Sequence, residues 1–172
     1  MNYLPTIIFR HVRENLKKCS LSGLESRSDV CFFTYPKVTF TDTSQYLLLD
    51  VAGEPLSDKD RDSGLVLLDG TWRLVEKMQK NIGALRGLPR RSIPAGFTTA
   101  YPRRQDDCPD PEVGLASIEA LFVAHLVTGR PVDGLLDNYY WKSLFLEKNR
   151  QLCLSLRNCY RNSSNSYSND EL

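Results

Sequence analysis

Gly64-Leu65-Val66-Leu67-Leu68-Asp69-Gly70-Thr71-Trp72 is the stretch from which the fold is read. Four consecutive apolar residues between glycines have the composition of a strand buried on both faces, as in the middle of a parallel sheet. Beyond Trp72 the apolar residues recur as Leu74, Val75, Met78 and Ile82, a spacing that predicts a helix over 73–82 with one face against that sheet. Asp69, Gly70, Thr71 and Trp72 thus gather a carboxylate, a permissive backbone, a hydroxyl and a large aromatic ring where a central strand stops. In an open α/β sheet that edge is where ligands bind.

Working outward, Thr6 to His11 reads as a first strand, Val30 to Tyr35 as a second stopped by Pro36, and Tyr46 to Val51 as a third broken by Gly53, Glu54 and Pro55. Ser20 is placed to cap a short helix through Glu25, and Ser57 to start a polar helical stub. Strands alternating with short helical segments predict an α/β fold with a mainly parallel sheet. Gly83 to Arg104 is rich in Gly, Pro and Arg and reads as loop, and Asp106 to Glu112 as an acidic loop. Leu115 to Thr128 is a helix apolar almost all round, which calls for burial between other elements. Val132 to Tyr160 reads as one long amphipathic helix or two, with Leu135, Leu136, Tyr139, Tyr140, Leu144, Phe145 and Leu152 inward. Residues 1–63 are expected to be the N-terminal part of one compact unit and 64–160 its core with the C-terminal helices. The string 161–172 has too little apolar surface to order itself.

Composition excludes several classes. Lys plus Arg is 22 against 21 for Asp plus Glu, so the net charge of +1 carries no global nucleic-acid signal and any such signal must be local. Five Cys without a Cys-x-x-Cys pair, and His only at 11 and 125, point to free thiols in a reducing compartment and to no metal. No apolar run spans a bilayer and no signal sequence opens the chain, so a soluble, cytoplasmic protein without membrane contact is expected. The closing Asn-Asp-Glu-Leu has no retention meaning without an entry signal. Neither Gly-x-Gly-x-x-Gly nor a P-loop is present, which removes dinucleotide and nucleoside-triphosphate readings of those kinds.

The chemistry-bearing residues each admit two readings. Asp69 is either the N-cap of the following helix or a functional carboxylate at the strand end, and Trp72 either core or ligand wall. Glu119, on an apolar helix, either ties neighbouring backbone amides together or faces a ligand with Ser117. Arg86, Arg90, Arg91, Arg103 and Arg104, with Phe97 and Tyr101 among them, form either a solvated loop or a phosphate-binding and base-stacking patch that Lys17 and Lys18 extend.

Four blocks occurring in order resemble the small-subunit rRNA aminocarboxypropyltransferase family, within the wider group named for its Asp-Thr-Trp motif. They are Lys17-Lys-Cys-Ser-Leu-Ser-Gly-Leu24; Leu56-Ser-Asp-Lys-Asp60 leading into Ser63 to Trp72; Gly114-Leu-Ala-Ser-Ile-Glu-Ala120 with Val127-Thr-Gly129; and Trp141-Lys-Ser-Leu-Phe-Leu-Glu-Lys-Asn-Arg150. The resemblance implies a SPOUT-like knotted domain with a helical C-terminal part. It also implies S-adenosylmethionine as donor of a 3-amino-3-carboxypropyl group to N3 of a uridine or modified uridine in RNA, most simply small-subunit rRNA.

On that reading Asp69 is the catalytic carboxylate. Leu68, Trp72, Leu88 and Tyr101 wall the cofactor, Ser20 holds its amino-acid end, and Leu115, Ala116 and Ser117 line its far side, with Glu119 securing the loop. RNA is the expected partner, and monomer and homodimer remain open. Departures bear on the substrate. Where the rRNA enzymes carry Leu-Leu-Pro-x-Leu-Val-Ala-Ala-Asn-Pro-Val-Asn-Tyr-Gly, this chain keeps only Leu88-Pro89 and a displaced Tyr101, and Gly70 stands where Cys is usual. Transfer to tRNA, or a non-catalytic RNA-binding ribosome-assembly factor on the same fold, are the alternatives.

Overall fold

The computed structural model describes residues 3–16, 19–37, 43–102 and 114–166, with side chains to residue 158. Five strands, β1 (Thr6–His11), β2 (Val30–Tyr35), β3 (Tyr46–Pro55), β4 (Gly64–Asp69) and β5 (Arg90–Ser92), form one sheet in the order β2-β1-β4-β3-β5. Every neighbouring pair is parallel. β4 is central and buried at all of its residues, as its unbroken apolar run requires.

Side-chain alternation splits the core into two layers. Ile8, Leu47, Leu65 and Leu67 pack on one face against α2 (Ser117–Val127), with α3 (Lys142–Lys148) and α4 (Arg150–Ser166) behind it. Ile7, Phe9, Leu48, Val66 and Leu68 pack on the other against Met78 and Ile82 of the α1 (Trp72–Asn81) segment. Each such buried aliphatic side chain contributes about 1.5–3 kcal/mol. α2 is covered on nearly all sides, and Phe122 meets Phe145 of α3 edge to face at 6.0 Å between centroids.

Three expectations are corrected. β3 does not stop at Val51 but runs to Pro55, because Gly53 lets the backbones of β3 and β5 touch: a Cβ there would lie 2.5 Å from the Arg90 carbonyl carbon and the Arg91 nitrogen. The residue read as a strand breaker permits the pairing. β5 itself lies in the segment read as loop, since a three-residue edge strand of Arg-Arg-Ser shows no apolar alternation. Helix does not begin at Val132. Successive turns carry the chain to Tyr139, with Gly134 at φ +78°, and α3 starts only at Lys142. Leu135, Leu136 and Tyr139 are buried as expected, but Tyr140 is 87% exposed, and Leu144 and Leu152 also face solvent in part.

At the far end, α4 continues as helix to Ser166, overlapping the string expected to lack order, while 167–172 lie outside the described residues. The acidic stretch 106–112 lies outside them as well. Among the described residues no helix is long and apolar enough to cross a membrane.

Candidate active site at the β1–β4 switch point

The strand order locates the crevice. From β1 the chain moves outward to β2 through a connection whose Leu21 and Leu24 join the α2 layer. From β4 it moves the opposite way to β5, through α1 on the other face. Between β1 and β4 the connections diverge, which opens a crevice at the carboxyl ends of those two strands. Arg10 and Asp69 are register partners there.

Asp69 is buried and is not the cap of α1, whose N-cap is Thr71. Its Oδ2 instead accepts Arg10 Nε at 3.0 Å and the Cys19 thiol at 3.2 Å. Arg10 also donates to Glu25 at 2.7 Å and stands 4.3 Å over the Phe32 ring. Burial, and then the Asp69 charge, push the Cys19 thiol up to about 12, so it stays protonated and serves as a donor rather than a nucleophile. Burial and the same charge raise Glu14 above its ordinary range. A carboxylate held by one cation and one thiol, with two more acids nearby, makes this strand end an anionic locus.

Ser20, next to Cys19, turns toward α2 rather than capping a helix of its own, and its Oγ accepts the Ile118 N–H at 3.4 Å. The short 3-10 turn that follows, Leu24–Ser26, is entered through Gly23 in the left-handed region. One residue beyond Ile118 stands Glu119, fully buried and doubly committed. Its Oε1 accepts the Ala100 N–H and the Tyr139 hydroxyl, each at 2.8 Å; its Oε2 accepts the Thr99 hydroxyl at 2.6 Å and the Ala116 N–H at 2.8 Å. The reading of Glu119 as a tie between backbone amides describes these contacts.

Asn149 does the same for the next turn of the loop. Its side chain accepts from the Thr98 N–H and donates to the Thr98 carbonyl, both at 2.8 Å. Two buried polar side chains, one on α2 and one at the α3–α4 junction, thereby fix residues 98–100, and Tyr101 follows them, half-buried and edge-on to Trp141 at 5.0 Å.

The other expected site residues divide. Tyr101, Leu115 and Ala116 belong to the α2 layer, on the side where Arg10 and Cys19 meet Asp69, and Ser117 is half-buried at the first turn of α2. Leu68 and Leu88 pack into the α1 layer across the sheet, so their side chains are on the opposite face from that group. Trp72 is half-buried at the start of α1, beside the crevice mouth.

Of the expected RNA contacts, Arg90 is paired with Asp50 at 2.8 Å, and Arg91 with Asp60 at 2.9 Å and Glu54 at 3.6 Å. These two guanidiniums stitch β5 to the rest of the fold. Arg86 is exposed, while Lys17, Lys18, Arg103 and Arg104 lie outside the described residues. Among the described residues no His, Cys, Asp and Glu group has the makings of a metal site.

Sequence reasoning missed the Arg10 and Cys19 partners of Asp69 and the role of Asn149. Arg10 was legible only through strand register, which composition does not give. Asn149 stands in a family block without a role, although a buried Asn asks for partners.

No family model matches the sequence, and no curated protein matches it significantly. Among solved structures the chain is similar to the SAM-dependent rRNA:acp-transferase Tsr3 from Vulcanisaeta distributa, with 21% sequence identity, a TM-score of 0.64, and coverage of 87% of this chain and 81% of that one. At this identity the likeness is one of fold.

Proposed function

We propose that the protein transfers the 3-amino-3-carboxypropyl group of S-adenosylmethionine to N3 of a uridine or modified uridine in RNA, most simply small-subunit rRNA. The observation that carries the reading is the convergence at the β1–β4 switch point of Asp69, Ser20 and the start of α2, on a fold shared with a protein described as a SAM-dependent rRNA:acp-transferase. A SPOUT-like knot is part of the same proposal, supported by a chain that leaves the sheet at its β5 edge and returns to its centre through α2. So is a cytoplasmic setting.

The side chains present suit the cofactor. Leu115, Ala116 and Tyr101 offer apolar wall for an adenosine, Ser20 and Ser117 offer hydroxyls for an amino-acid end, and Asp69 offers an anion suited to a sulfonium. Bound there, S-adenosylmethionine supplies an electrophilic sulfonium flanked by three carbons. The protein then selects the carbon that reacts by orientation. Asp69 would accept the proton that N3 loses as N3 bonds the aminocarboxypropyl carbon and the C–S bond breaks to release methylthioadenosine, or would orient N3–H and offset charge beside it, with Arg10 and Cys19 fixing the carboxylate on its Oδ2 side. Trp72 borders the crevice from α1, Leu68 and Leu88 seat α1 from behind, and Glu119 with Asn149 keep the loop under Tyr101 in place.

Asp69→Asn tests the assignment. At saturating S-adenosylmethionine transfer is expected to fall by roughly a hundredfold or more, a larger loss than the weakening of cofactor affinity that removal of the anion brings. Unchanged turnover would remove Asp69 from the reaction. The Arg10 pair on Asp69 also favours a second reading, a fold-retaining RNA-binding assembly factor in which that carboxylate is structural. Calorimetry showing no binding at millimolar S-adenosylmethionine would select it. Nucleoside mass spectrometry of rRNA and tRNA from cells with and without the gene separates the rRNA and tRNA substrates.

A further inference from the structure

Tyr140 was expected to point inward and instead stands 87% exposed. It is not an isolated surface ring. Its ring meets Trp141 edge-on at 5.1 Å, and Trp141 in turn meets Tyr101 at 5.0 Å and Tyr139 at 5.9 Å. The cluster is anchored from below: the Tyr139 hydroxyl bonds Glu119, which also holds the loop leading to Tyr101. Through Glu119, Ile118 and Ser20 this support runs on to Cys19 and Asp69. An aromatic cluster anchored on buried polar groups through Tyr139 and the loop to Tyr101, with Tyr140 exposed at its edge, therefore belongs to the same framework as the candidate active site.

Its surroundings choose the occupant. Asp137, Asn138 and Ser143 beside it are polar and exposed, Asp137 paired with Lys142 at 2.7 Å, and Leu144 is the partly exposed aliphatic residue next along the chain, so polar groups outnumber apolar ones around the ring. Two cations stand near the rings and outnumber the exposed Glu147 beside them: Lys148, the last residue of α3, has its Nζ on the Thr99 carbonyl, and Arg150 is exposed two residues on. Exposed rings beside cations suit unpaired nucleotides, whose bases stack while their phosphates are neutralised.

We propose that Tyr140, backed by Trp141, is a stacking platform for an unpaired nucleotide of the RNA strand adjoining the modified base. This rests on the RNA reading above and deepens it, because it restricts the substrate to a single-stranded or looped segment. A duplex offers no free base face to the ring.

The test is equilibrium binding of wild type, Tyr140→Ala and Tyr140→Phe to an oligouridylate single strand and to an RNA duplex of equal length, with S-adenosylmethionine affinity and label transfer to rRNA from cells lacking the gene measured alongside. Tyr140→Ala is expected to weaken single-strand binding by roughly five- to a hundredfold, with Tyr140→Phe within about twofold of wild type. Duplex binding and S-adenosylmethionine affinity should not move. Equal single-strand binding by wild type and Tyr140→Ala overturns the platform, and so does a wild type that binds no single strand. If Tyr140 matters for the strand but no label is transferred, the reaction assignment fails and the platform stands. If label is transferred equally well without the ring and binding is unaltered, the reverse holds.

Discussion

Glu119 shows how much one side chain decides. All four of its partners are donors, so only a carboxylate with two accepting oxygens satisfies them. Glu119→Gln is isosteric but turns an NH2 toward an N–H or O–H donor. It is expected to cost about 1–3 kcal/mol in denaturant unfolding and to loosen the loop that carries Tyr101. A variant as stable as wild type would mean that these bonds are not formed in solution. The need of a buried carboxylate for partners was legible in the sequence, because an acid on an apolar helix must be compensated. The partners were not, since Thr99 and Ala100 stand 20 and 19 positions earlier and no local pattern ties them to it. Asp69 differs: its place at a strand end could be read, but its ion pair with Arg10 depends on which strand lies beside β4. That neighbour comes from topology, not from local pattern.

At the scale of elements, the β3–β5 seam is the informative case. Gly53 permits the backbones to touch, whereas a Cβ at Gly83 meets nothing within 4 Å. Gly53→Ala is therefore expected to lower stability by about 2 kcal/mol or more, and Gly83→Ala to leave it unchanged or raise it by about 0.5 kcal/mol. Chemical denaturation of the two variants side by side checks this, and equal effects would place the seam elsewhere. The strands β1, β2 and β4 could be read because each is an apolar run with turn residues at its ends. β5 could not, because its Arg90 and Arg91 are held by Asp50, Asp60 and Glu54 rather than by apolar packing. The same pairs explain why a row of arginines that looked like an RNA patch is partly internal stitching.

Across the whole molecule, His125 joins the start of the chain to the end of α2. It is buried, with Nε2 at 3.1 Å from the Thr6 hydroxyl and Nδ1 at 2.9 Å from the Pro131 carbonyl. Burial lowers it from 6.5 to about 4, so the native state keeps it neutral where the unfolded chain binds a proton. Stability from this group is complete above pH 6.5 and is lost as pH falls toward 4, by about 3 kcal/mol in all. His125→Gln should flatten the stability profile across that window. An unchanged slope would contradict a neutral buried imidazole.

The α/β class and the central strand were legible because parallel sheets write their burial as continuous apolar runs. The strand order, and with it the switch point that brings β1 beside β4, was not.

Which group leaves the cofactor decides between aminocarboxypropyl and methyl transfer. The direct measurement is incubation of the protein and RNA with S-adenosylmethionine carrying one label on the methyl carbon and a different label on the carboxyl carbon. Aminocarboxypropyl transfer puts carboxyl label into RNA, without methyl label. Methyl label alone in the RNA would contradict it.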